Sequence, residues 1–113
     1  MDKLISYREK IKNILTAYDN RANRSSKKKY ETCLIFDETH DHYLWMSVDW
    51  VKQKRINNTH VHIRIKHEKI YIEEDWTEDG VATDLLQKGI PREEIILAFH
   101  PPHVRQYTEF TSA

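Results

Sequence analysis

The sequence predicts an α+β fold, and three observations predict it. Apolar residues recur at intervals of three and four near the N-terminus, the middle of the chain alternates with a period of two, and a second helical stretch precedes a final apolar run. Only 2 glycines and 3 prolines interrupt 113 residues, of which 39% are hydrophobic and 32% charged, a globular rather than a disordered composition. That length fits one domain over residues 1–113, with a single core.

From Asp2 to about Tyr18, the residues Leu4, Ile11, Ile14, Leu15 and Tyr18 form one stripe, with Lys3, Arg8, Glu9, Lys10, Lys12 and Asn13 on the other side. This is the pattern of an amphipathic helix. "DNRANRSSKKK" (19–29) has no periodicity and reads as a linker carrying Arg21, Arg24 and Lys27 to Lys29. "YETCLIF" (30–36) and "YLWMSVDW" (43–50) then read as strands joined by the polar "DETHDH". Leu44, Met46, Val48 and Trp50 are expected to face the core, because they are more apolar than Tyr43, Trp45, Ser47 and Asp49.

"HVHIRIKHEKIYIEEDW" (60–76) supplies two more strands around a tight "HEK" turn. Val61, Ile63, Ile65, Ile70 and Ile72 are expected inside, and His60, His62, Arg64 and Lys66 outside. The prediction is an antiparallel meander of about four strands with one covered face. The cover is a C-terminal helix that starts at an N-cap Thr77, carries Glu78 and Asp79 in its first turn, buries Val81, Ala82, Leu85 and Leu86, and stops at Gly89 and Pro91. "REEIILAF" (92–99) adds a charged turn and a short final strand, and Pro101 and Pro102 end it because neither can donate to a ladder.

Lys plus Arg and Asp plus Glu balance at 18 each, so net charge gives no long-range attraction to nucleic acid or a membrane surface. No apolar run reaches the length of a membrane span and the N-terminus is charged from Asp2, which points to a cytoplasmic protein. The single Cys33 lies in an apolar run, as a buried thiol in a reducing compartment would.

Seven histidines raise a metal site as a possibility: "HDH" (40–42) and "HVH" (60–62) each place two imidazoles on one side of an extended segment, and His100 with His103 forms a third pair. A native zinc site needs three or four converging ligands with supporting partners, and these spacings define none, so no metal or cofactor is expected. Carboxylates cluster at Asp37, Glu38 and Asp41 and at Glu73, Glu74 and Asp75, without the lysine spacing of a nuclease. Gly80 and Gly89 build no phosphate loop, and no serine sits in a nucleophile elbow. A non-enzymatic binding module is the expectation. Its rival is a DNA-binding factor using residues 21–29 and the outward row of β-sheet side chains. At the C-terminus, Arg105 is expected to tie to carboxylates near Asp75 and Glu78, with Tyr107 and Phe110 covering apolar surface.

"DHYLW", "VDW", "DWTEDGVA" and "FHPPHVRQYTEF", in that order, resemble the XisI family, the cyanobacterial controlling factors for excision of the fdxN element. The resemblance spans nearly the whole chain apart from 19–29. It implies an α+β fold particular to that family and a regulatory role in DNA excision during heterocyst differentiation, alongside a XisH-like partner and with a homodimer as one possible assembly. It brings no catalytic residues. His62, Asp75, Thr77, Glu78, Gly80, His100, Pro102, Arg105, Tyr107 and Phe110 fall on positions typical of the family; His62, Asp75, Thr77, Glu78, His100, Arg105 and Tyr107 are taken as binding candidates. Asp49, where the family usually has Gly, and Arg64, where it usually has an acid, depart from the pattern.

Overall fold

A computed structural model describes residues 2–28, 30–105 and 110. The elements run α1 (Asp2–Arg24), β1 (Thr32–Asp37), β2 (His42–Val51), β3 (Lys54–Lys66), β4 (Lys69–Asp75), α2 (Val81–Gln87), a 3-10 turn (Arg92–Glu94), β5 (Ile95–Leu97) and α3 (Pro102–Arg105). The sheet order is β1-β2-β3-β4-β5. The first four strands pair antiparallel, as the meander requires, and β5 pairs parallel to β4 because α2 carries the chain back across the sheet.

α1 is longer than the sequence pattern indicates: residues 19–24 continue the helix instead of starting a linker. Side-chain bonds explain the extension. Asp19 Oδ1 accepts both Trp45 Nε1 (3.0 Å) and Thr32 Oγ1 (2.6 Å), so a polar residue faces the sheet through a satisfied carboxylate. Arg21 and Arg24 then occupy the last turn, where cations complement the helix dipole.

The buried stripe of α1 is Tyr7, Ile11, Ile14 and Leu15, packed on Tyr43, Val61, Ile63, Ile70, Ile72, Val81, Leu85 and Ile95 in one cluster. Tyr7, absent from the expected stripe, is 4% exposed, and its hydroxyl has no hydrogen-bond partner among the described residues.

The core face of β2 is the reverse of the expected one. Tyr43 and Ser47 are buried, while Leu44, Met46 and Val48 are half-buried on the far face and Trp50 is exposed. Register decides this: Tyr43 pairs with Ile63 and Trp45 with Val61, so all four share the helix side. Hydropathy ranked the faces wrongly because aromatic residues bury their rings while their polar tips find partners, here Tyr43 Oη to Asp41 (2.8 Å) and Trp45 Nε1 to Asp19. Tyr18 stacks on Trp45 at 5.7 Å and completes the layer. Cys33, on the far face of β1 opposite Met46, is half-buried rather than buried.

Thr77 is not the N-cap of α2. Gly80 holds that position, and the acceptor for the first helical N–H comes from Asp75 at the end of β4: its Oδ1 accepts the N–H and hydroxyl of Thr77, and its Oδ2 accepts Val81 N–H at 2.7 Å. The chain closes this loop through Gly80 at φ 86°, a left-handed conformation that suits glycine. The other end stops as expected. Gly89 at φ 90° donates to Leu86 O and Ile90 to Leu85 O, the paired bonds of a Schellman motif, and Ile90 folds into the core.

Candidate functional site: an aromatic and acidic surface at the end of strand β4

Two register shifts shape the far end of the sheet. Trp45 pairs with Val61 and Met46 with Thr59, which leaves His60 as an extra residue in β3; His62 pairs with Glu74 and Ile63 with Ile72, which leaves Glu73 extra in β4. Bulges of this kind re-aim side chains at strand ends.

The first bulge breaks the expected alternation. His60 turns to the helix side, its ring 4.8 Å from that of Trp45 and its Nε2 2.5 Å from Ser47 Oγ, whereas His62 lies on the far face. "HVH" therefore does not gather two imidazoles. "HDH" does not either: His40 sits in the β1–β2 turn against Asp37, while His42 meets His62 across the strands, Nδ1 to Nε2 at 3.0 Å. Burial depresses the pKa of His60, and burial followed by the neighbouring His42 depresses that of His62, so both rings favour the neutral form. Among the described residues no group of three His, Cys, Asp or Glu side chains converges as metal ligands.

The second bulge leaves Glu73, the unpaired extra residue, beside Arg64 (3.2 Å), while Glu74 stays in register opposite His62. Glu74 Oε2 accepts the indole N–H of Trp76 at 2.7 Å. Trp76 is 75% exposed, the highest value among the large exposed apolar side chains, and stands between two clefts. One, of about 490 Å³, is lined by Asn57, Asn58, Thr59, His60, Glu74 and Trp76. The other, of about 390 Å³, is lined by Glu73, Glu74, Asp75, Trp76 and Phe99. Phe99 is 45% exposed, with its ring 4.6 Å from that of His100, and its N–H bonds to Ile72 O so that it extends the β5 edge.

The binding candidates divide among several places. Asp75 lines the cleft beside Trp76, and His100 stands behind its Phe99 wall, whereas Thr77 turns its hydroxyl to Asp75 and the Tyr18 side. Glu78 is exposed in a separate depression with Tyr18, Arg21, Asp79 and Asp84, and His62 lies on the open sheet face. Arg105 does not reach the carboxylates near Asp75 and Glu78: its Nε bonds to His100 O (2.8 Å) and its Nη2 to Ala98 O (3.2 Å), which fastens the turn around Pro101. Asp75 is already committed to α2, so the expected ion pair has no free acceptor there. Phe110 packs against the core with Arg92 over its ring at 5.9 Å. Tyr107 lies outside the described residues.

The basic segment is also divided. Arg21 lies over the Tyr18 ring at 5.1 Å, next to Glu78, Asp79 and Asp84, whereas Lys27 and Lys28 follow the helix end. Sequence reasoning missed Trp76, Phe99 and Glu74 as a group; the available signal was an aromatic residue directly after an acidic strand end.

A family model described as XisI protein matches residues 1–112. The chain belongs to the XisI family. Its fold matches the crystal structure of fdxN element excision controlling factor XisI from Anabaena variabilis ATCC 29413, with a TM-score of 0.86, 38% identity, and coverage of 98% of this chain and 99% of that one. A XisI-like protein from the same organism matches with a TM-score of 0.88 and 36% identity over 97% of this chain and 99% of that one. Among curated proteins nothing matches. Asp49 and Arg64 of this XisI-family chain both have local partners. Asp49 Oδ2 accepts Glu31 N–H (2.8 Å) and its Oδ1 accepts Trp50 N–H (2.7 Å), while Arg64 pairs with Glu73. No helix among the described residues of this XisI-family chain is long and apolar enough to cross a membrane.

Proposed function

We propose that this chain is a non-enzymatic controlling factor for DNA-element excision that acts by protein contact with a XisH-like partner. The observation that carries the reading is the family match over residues 1–112, together with the likeness to the 38%-identical fdxN element excision controlling factor XisI. The reading treats residues 1–113 as one cytoplasmic domain, with a homodimer as a further assembly. The exposed aromatic and acidic surface around Trp76 supports contact with protein more than contact with nucleic acid, since carboxylates repel phosphates.

Co-expression with a XisH-like protein and affinity capture test the reading; a stoichiometric complex is the expected result, and none at micromolar concentration counts against it. The DNA-binding rival predicts a gel shift on duplex DNA that weakens steeply with added salt, through Lys27, Lys28 and their neighbours. A probe that stays unshifted supports the protein-contact reading.

A further inference from the structure

The chain has two highly exposed tryptophans, and they are treated differently. Trp50, 62% exposed, carries its own cation, with the Arg55 guanidinium 5.4 Å from the ring centroid. Lys3, Arg21 and Arg92 likewise stand over Tyr7, Tyr18 and Phe110. Trp76 is the more exposed of the two and has no cation over its ring among the described residues.

Its surroundings are set for one. The bond to Glu74 sets the indole edge beside the carboxylate, so ring and charge stand next to each other at the cleft. Glu74 makes no ion pair among the described residues, and a carboxylate that accepts one indole N–H keeps further acceptor sites. Glu73 and Asp75 line the same cleft with their charge offset by Arg64 or turned inward to α2, and Phe99 supplies the second aromatic wall. An aromatic face beside an unpaired carboxylate is the chemistry that holds a guanidinium or an ammonium: the ring attracts the cation and the carboxylate accepts its N–H groups.

We infer that the cleft between Trp76 and Phe99 receives a basic side chain, an arginine above all, from an exposed segment of a partner protein. Arginine fits better than lysine because its planar fork stacks on an indole and donates to a carboxylate at once. This inference rests on the protein-contact reading for its partner, but the cleft can be probed without that partner.

The experiment follows the indole N–H resonances of the ¹⁵N-labelled protein during titration with a short arginine-glycine peptide and with its neutral citrulline analogue. The Trp76 signal is assigned by its loss in Trp76→Phe. Saturable movement of that signal with the arginine peptide alone, weakened about five- to tenfold in Glu74→Gln and Phe99→Ala, is the expected result. Equal response to citrulline, or shifts that leave Trp76 unmoved, overturns the inference. In the capture assay, a XisH-like complex that forms equally well with Trp76→Ala overturns the assignment of this cleft to that partner. Failure of the unaltered protein to form the complex removes the functional reading, while the peptide titration still decides the cleft.

Discussion

Asp75 Oδ2 accepts the backbone N–H of Val81 at 2.7 Å, so the last residue of β4 caps a helix that begins six positions later. The carboxylate links the sheet to α2 directly. Asp75→Ala should therefore destabilise the protein by about 1–2 kcal/mol, with Thr77→Ala costing less because it removes only one of the bonds. Urea unfolding followed by circular dichroism measures both; equal and negligible losses would show that the capping bond contributes nothing.

Arg8 grips Asp41 with two bonds, 2.8 and 3.2 Å, and ties α1 to the β1–β2 turn. Burial tends to raise the Asp41 pKa, but the hydrogen bonds from Arg8 and Tyr43 outweigh it and hold the carboxyl below its usual range. A carboxyl with a lowered folded-state pKa stabilises the fold above its unfolded pKa, about 4, and that contribution is lost as pH falls further. Stability should thus drop below about pH 4 in the unaltered protein and drop less in Arg8→Met. Unfolding midpoints across this range compare the two, and parallel curves would contradict the assignment.

His60 and His62 should titrate below the ordinary imidazole range in histidine-resolved NMR. Because the unfolded chain takes up these protons first as pH falls, stability declines from about pH 6.5 downward through the folded-state pKa values. His42→Gln should move the His62 midpoint upward by part of its displacement, since burial remains, and leave His60 in place. An unmoved His62 would exclude the contact between the two rings.

The β3–β4 hairpin turns through His67 and Glu68, both at positive φ (53° and 60°), the backbone of a type I′ turn without its usual Asn-Gly. Both side chains are exposed. Glu68→Gly should stabilise the protein by about 1 kcal/mol, raising the melting temperature by a few degrees. A lowered melting temperature would argue against this turn geometry.

The Tyr7 hydroxyl is buried without a partner among the described residues. Removing an unsatisfied polar group costs no hydrogen bond, so Tyr7→Phe should be neutral or stabilising by up to about 1 kcal/mol. A loss of stability in denaturant unfolding would reveal a bond to the hydroxyl.

The meander, the stop of α2 at Gly89 and the inward set Val61, Ile63, Ile65, Ile70 and Ile72 were legible because each follows from a local period or a local backbone requirement. What escaped the sequence depends on partners distant along the chain. Residues 19–24 look like a linker until Asp19 meets Trp45 and Thr32, and Tyr43 looks like an outer residue until Asp41 takes its hydroxyl. His60 joined the wrong row because a bulge changes parity without leaving a mark in composition. The surface around Trp76 was half legible: Asp75 and His100 were singled out, but Asp75 is bonded to Thr77 and the start of α2, and the exposed aromatics Trp76 and Phe99 were not seen.

The parallel pairing of β5 with β4 sets an order on synthesis. The hairpins from β1 to β4 join neighbours and can zip as they leave the ribosome, but the outer rim of β4 stays bare until residues 95–97 have emerged. In that interval the nascent chain presents an open strand able to accept a stray neighbour, and slow elongation after Asp75 prolongs the exposure.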